Sequence, residues 1–185
     1  MEIKRVDLGN KIYDEIDEKM RKNLENCCIL YIDEIKNDTL EERYQTFKTQ
    51  LIEKRGEEDV KEEYLFHGTK KPYIDSISKD GFKVALNKVC AYGIGTYLSP
   101  NVKLALHYTD ATVGDQTFLD GVEVSYVFFC KVLVGKKVVG KANQKLNTEL
   151  YDVGVNSLKI PTHLSIPYDE AIVPRYIVAF YKNAS

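Results

Sequence analysis

Apolar residues recur at Ile12, Ile16, Met20 and Leu24, with Tyr13 beside them, through a stretch otherwise rich in Asp, Glu and Lys. That spacing places one stripe on one side of a helix and predicts an amphipathic helix over 12–24. The next run, CCILYIDEI over 27–35, is apolar and β-branched enough for a strand, and Asn37 and Asp38 close it with turn residues. Thr39 followed three residues later by Glu42 has the form of a capping box. Leu40, Tyr44, Phe47 and Leu51 then give a second helix, over 39–54, a single apolar face. The mixed-charge run over 55–63 predicts a solvated connection without a binding site.

The second half reads differently. YLFHGT over 64–69 has the pattern of a buried strand that ends in a histidine. Pro72 suits the first turn of a short helix with Ile74 and Ile77 facing inward, and Gly81 is placed to cap it in a left-handed conformation. AYGIGTYLSP over 91–100 predicts a glycine-flanked turn and a short strand, and Ser99-Pro100 starts a further helix, NVKLALHYT. VEVSYVFFCKVLVG over 122–135 is the longest strand candidate, KKVVG adds another, and PRYIVAFYK over 174–182 is a closing strand. Helices first and strands later, without βαβ alternation, indicate an α+β domain with a mostly antiparallel sheet.

The totals narrow the field. A chain of 185 residues with 44% hydrophobic residues fits one domain with a substantial core. Lys plus Arg total 26 against 28 Asp plus Glu, so composition suggests neither nucleic acid nor an anionic membrane as a partner. No window is apolar enough to span a bilayer, and the charged first twenty residues have no signal-peptide core. An intracellular protein, cytoplasmic or nuclear and monomeric, is the expectation. Cys27, Cys28, Cys90 and Cys130 have no zinc spacing and read as free thiols, with no metal expected.

Taken together, LFHGT followed by a helix and Gly81-Phe82, YGIGTYLS followed by NVKLALHY, the strand FFCKVLVG and the closing PRYIVAF resemble the catalytic domain of poly(ADP-ribose) polymerase (PARP) type ADP-ribosyltransferases. Each motif is weak alone, but the joint order is specific. The resemblance runs from about Cys28 to the end. It implies a two-sheet fold, with residues 1–26 a helical extension and 27–185 the catalytic domain.

It also implies a chemistry, in which NAD is the substrate and the bond from nicotinamide to ribose breaks through an oxocarbenium-like state. By resemblance His67 hydrogen-bonds a hydroxyl of the nicotinamide ribose. Gly68, with Thr69 beside it, holds the carboxamide, since a residue without a side chain lets backbone groups approach closely. Tyr97 matches the second member of the family's His-Tyr-Glu triad. Tyr108, eleven residues on, matches the tyrosine that stacks on the nicotinamide ring. His107 reads as a surface residue.

Two departures follow from the resemblance. Counting thirteen residues back from Tyr176 puts His163 where polymer-forming members carry the triad glutamate, and members without that acid transfer a single ADP-ribose. Glu170 is the rival for that position, but too few residues separate it from the final strand. Ala105 stands where many members have a serine that bonds the nicotinamide amide, a loss of about 1 kcal/mol. The implied activity is mono-ADP-ribosyl transfer to a protein side chain, or to a nucleic-acid end. No regulatory subdomain, zinc finger or repeat is expected, so control by DNA breaks is not. The alternative is a silent domain of the same fold that serves as an interaction module.

Overall fold

The structure, a computed structural model, describes residues 1–87, 90–108, 117–119 and 122–182. In chain order the elements are β1 (Glu2–Arg5), α1 (Lys11–Arg21), β2 (Cys27–Lys36), α2 (Asp38–Arg55), β3 (Lys61–Thr69), α3 (Ile74–Asp80) and β4 (Thr96–Leu98). They continue with α4 (Val102–Ala105), β5 (Thr117–Leu119), β6 (Val122–Val134), β7 (Lys137–Val139), β8 (Val153–Val155), β9 (Leu164–Ile166) and β10 (Ile172–Lys182). The result is an α+β fold with two sheets. One has the order β1-β2-β10-β6-β3, with β5 also on β6, and the other has the order β4-β9-β8-β7. Among the described pairs only β7 and β8 run parallel.

The continuous apolar run of β6 has a simple cause: the larger sheet is covered on both faces. Phe128, Cys130 and Val132 enter a core shared with α2 and the smaller sheet, through Tyr44, Leu51, Leu98, Val153 and Leu164. Val127 and Phe129 point the other way, into a second core with Ile16 and Met20 of α1 and Val102 and Ala105 of α4. A strand alternates faces with a period of two, so a strand buried on both sides needs an apolar residue at every position.

Several local features differ from the sequence reading. The cap of α2 is Asn37, whose Oδ1 accepts from Leu40 N (3.3 Å), in place of the Thr39–Glu42 box. Asn37 is also held by its Nδ2, which donates to the carbonyls of Ser78 and Lys79, so tertiary bonds decide the cap. Gly81 does end α3 with φ +78°, but with ψ −172°, outside the left-handed helical well. The helix after β4 is a single α-turn capped by Asn101, followed by a 3-10 turn over Leu106–Tyr108. β1, β5, β8 and β9 are strands that the hydropathy pattern did not register.

Residues 55–63 are not a solvated connection throughout. Arg55 Nε and Nη2 bond both oxygens of Asp152 (2.9–3.2 Å), and the two side chains are 12% and 2% exposed. Asp152 Oδ2 also accepts from Lys136 N (2.8 Å). One buried carboxylate thus ties the end of α2 to the segments entering β7 and β8.

Candidate active site

β3 lies at one edge of the larger sheet and β4 at one edge of the smaller, and a backbone bridge joins them. Phe66 N donates to Ser99 O (2.8 Å) and Ser99 N to Phe66 O (2.9 Å). This seam positions the candidate residues. His67, one residue past Phe66, lies opposite Phe128 on β6 and sets its ring edge-on against Phe82, with centroids 4.7 Å apart. Its Nδ1 is 2.8 Å from the Tyr97 carbonyl. A carbonyl only accepts, so Nδ1 carries the proton and Nε2 keeps the lone pair.

Burial holds the His67 pKa down at about 4, opposed by its bond to Tyr97, so the ring is neutral near pH 7. A linkage follows. The unfolded ring takes up its proton near 6.5 and the folded ring only near about 4, so the unfolded state binds more protons between those values. Stability is therefore full above about pH 6.5, falls as pH drops to about 4, and is level below, with a total loss of at most about 3 kcal/mol from this group. Urea unfolding across that range checks this, since His67→Gln is expected to remove that part of the slope.

Tyr97, in β4 opposite Ser165 of β9, is pinned at its far end. Its hydroxyl accepts from Tyr92 N (2.7 Å) and donates to Gly93 O (2.9 Å), while Ser165 Oγ donates to the same carbonyl (2.9 Å). The turn before β4 is clamped from behind as well. A Cβ on Gly140 would lie 1.8 Å from the Tyr92 carbonyl oxygen, and one on Gly154 would lie 2.2 Å from it. Gly140→Ala must push this turn off its seat, at about 1–3 kcal/mol. A matching fall in the urea midpoint, with altered Tyr97 surroundings by NMR, is the expected result.

Phe66, Tyr97, Leu98, Ser99, Leu104, Ala105 and His163 line one narrow cleft at the seam, with a free volume of about 10 Å³, room for about one water. His163 precedes β9, with its ring 5.6 Å from that of Tyr92. Burial, and then the neighbouring His107, hold its pKa below the usual histidine range. His107 is exposed, as the sequence suggested, yet faces this site closely enough to act on it.

The structure thus brings Tyr97, Ala105 and His163 together along one cleft, with His67 bonded to the Tyr97 backbone beside it. Gly68 and Thr69 follow His67 on β3 and are buried. The backbone of Tyr108 belongs to the 3-10 turn after α4, and its side chain lies outside the described residues. Glu170 sits elsewhere, in a 3-10 turn before β10, paired with Arg43 (3.1 Å) on α2. Sequence reasoning gave no role to Tyr92, although it opens the YGIGTYLS motif, and missed Asn156, Thr162 and Ser165, which lie in loops or very short strands and carry no motif.

Residues 10–177 match the poly(ADP-ribose) polymerase catalytic domain, and the chain belongs to that family. It is similar to the protein mono-ADP-ribosyltransferase PARP12 of Mus musculus, at 28% identity over 161 residues, covering 80% of this chain and 21% of the relative. The human PARP14 enzyme of the same description is 26% identical over 180 residues, covering 92% of this chain and 10% of the relative. Human PARP16, also a protein mono-ADP-ribosyltransferase, is 32% identical over 109 residues, covering 59% of this chain and 33% of the relative. The chain therefore spans about a fifth of the length of PARP12 and less of PARP14.

Proposed function

We propose that this domain is a mono-ADP-ribosyltransferase that moves ADP-ribose from NAD to an acceptor, with a protein side chain as the acceptor. The observation that carries the reading is the His67 Nδ1–Tyr97 carbonyl bond at the sheet seam, beside the cleft that Tyr97, Ala105 and His163 line. In this reading His67 Nε2 accepts from a hydroxyl of the nicotinamide ribose. The backbone of Gly68, next to Thr69, holds the carboxamide. The Tyr97 ring covers one face of the nicotinamide and Tyr108 the other.

The C–N bond to nicotinamide then breaks, nicotinamide leaves with the bonding pair, and positive charge develops at the ribosyl carbon. An acceptor lone pair closes the new bond at that carbon, and the acceptor's proton passes to water. Neutral imidazoles at 67 and 163 put no positive charge against the developing cation. Ala105 offers no side-chain donor to the amide. His163 takes the place of the triad acid, which supports transfer of one unit.

The protein incubated with NAD labelled in its adenylate half, alone and with candidate acceptors, tests this. Nicotinamide release with label in one discrete step is expected. Long ladders would overturn single transfer. Binding of nicotinamide-type inhibitors without turnover would favour the silent interaction module instead.

A further inference from the structure

Asn156 and His163 close the loop between β8 and β9, where Asn156 N donates to His163 O (3.3 Å). The Asn156 side chain reaches across the same loop. Its Oδ1 accepts from Thr162 N and His163 N, both at 3.0 Å. Two backbone donors must face an oxygen, so the amide has one orientation, and its Nδ2 donates to Thr162 Oγ1 (2.9 Å). Thr162 Oγ1 in turn lies 3.1 Å from His163 Nδ1. With the amide bond received, the Thr162 hydroxyl proton goes to Nδ1, because the reverse polarity would give that proton no protein acceptor among the described residues and leave it to solvent at a half-buried side chain. His163 is then protonated on Nε2, the nitrogen left for the cleft. His67 has the opposite arrangement, with its proton on Nδ1 and its lone pair on Nε2.

We propose that the seam between the sheets carries two imidazoles of opposite tautomer, His67 an acceptor beside the Tyr97 backbone and His163 a donor in the cleft, and that Asn156 and Thr162 are positioning residues that keep His163 a donor. The catalytic consequence rests on the transferase reading. A donor at this place orients a ribose hydroxyl through the oxygen lone pair but cannot take its proton, so it does not activate a second ribose as a carboxylate would. Among the described residues, the groups beside the ring are His107 and the Tyr92 phenol, and neither is an anion that would draw a second proton onto it near neutral pH.

Long-range proton–nitrogen NMR of the whole protein at pH 7.5 reads the tautomers directly, and with three histidines in the chain His107→Gln completes the assignment. The expected result is Nδ1–H on His67 and Nε2–H on His163. Thr162→Val is expected to release His163 into a mixture of tautomers, and Thr162→Ser to restore the donor form. Asn156→Asp is expected to invert it, since a carboxylate accepts the Thr162 proton and leaves Oγ1 to accept from Nδ1–H. Nδ1–H on wild-type His163, or a tautomer unmoved by Thr162→Val, overturns the proposal.

Turnover of NAD by the same samples separates the two readings. Thr162→Val is expected to lower kcat about tenfold with KM for NAD within about twofold, and Thr162→Ser to recover it. A shifted tautomer with unchanged kcat overturns the positioning role. Expected tautomers in a wild type that does not consume NAD overturn the transferase reading and leave the imidazole pair standing.

Discussion

His67→Ala is expected to lower nicotinamide release from NAD by at least about 100-fold while the protein stays folded. The backbone of His67 is paired to β6, and its ring is held by the edge of Phe82 and by the Tyr97 carbonyl. Its lone pair is therefore fixed before substrate arrives, and preorganised groups of this kind contribute about 10²–10³ to rate when charge develops beside them. Alanine leaves the Tyr97 carbonyl without its donor, which costs about 1–3 kcal/mol of stability. Both cores remain intact. Far-UV circular dichroism and the urea midpoint measure that cost separately from kcat. Activity that survives His67→Ala undiminished would remove this residue from the site.

Asp152→Ala is expected to be the most destabilising of the substitutions named here, by about 3 kcal/mol, or roughly 10 °C in Tm. The carboxylate is 2% exposed and accepts from the Arg55 guanidinium and from Lys136 N, so its loss leaves Arg55 with only the Thr148 and Glu149 carbonyls and no counter-charge, and removes the partner of a backbone donor. The nearby Lys54–Glu149 pair is the control: its N–O distance is 3.9 Å and Glu149 is 86% exposed, so Glu149→Ala is expected to move Tm little. Calorimetry on both variants checks the contrast, and equal shifts would refute it. Asp152 neither touches His67 nor lines the seam cleft, so NAD turnover by Asp152→Ala below the new melting point is expected to persist.

What the sequence made legible follows from what periodic patterns record. The long helices and the buried strands β2, β3, β6 and β10 repeat over enough residues for the period to show, and His67 and Tyr97 stand beside such runs in a recognisable order. β8 and β9 are three residues each, shorter than any period can register, so the middle of the sheet that carries Tyr97 showed no hydropathy signal, while its borders β4 and β7 did. The Arg55–Asp152 pair joins residues 97 apart, and in the local sequence Arg55 is one charge in a charged run. β10 starts before Pro174, where the chain pattern set its beginning. A register shift between Pro174 and Tyr176 accommodates a residue that has no N–H to donate. Asn156 and Thr162 have no signal in the sequence, because their roles depend on a loop that folds back on itself.

The order of the larger sheet has a practical consequence. β1 and β3 are its opposite borders, separated by β2, β10 and β6, so about 19 Å of sheet divides residues 2–5 from the His67 edge. A fluorophore attached at Ile3, which is 43% exposed, would report the melting of the scaffold without crowding substrate traffic. Unfolding and turnover could then be followed in the same cuvette.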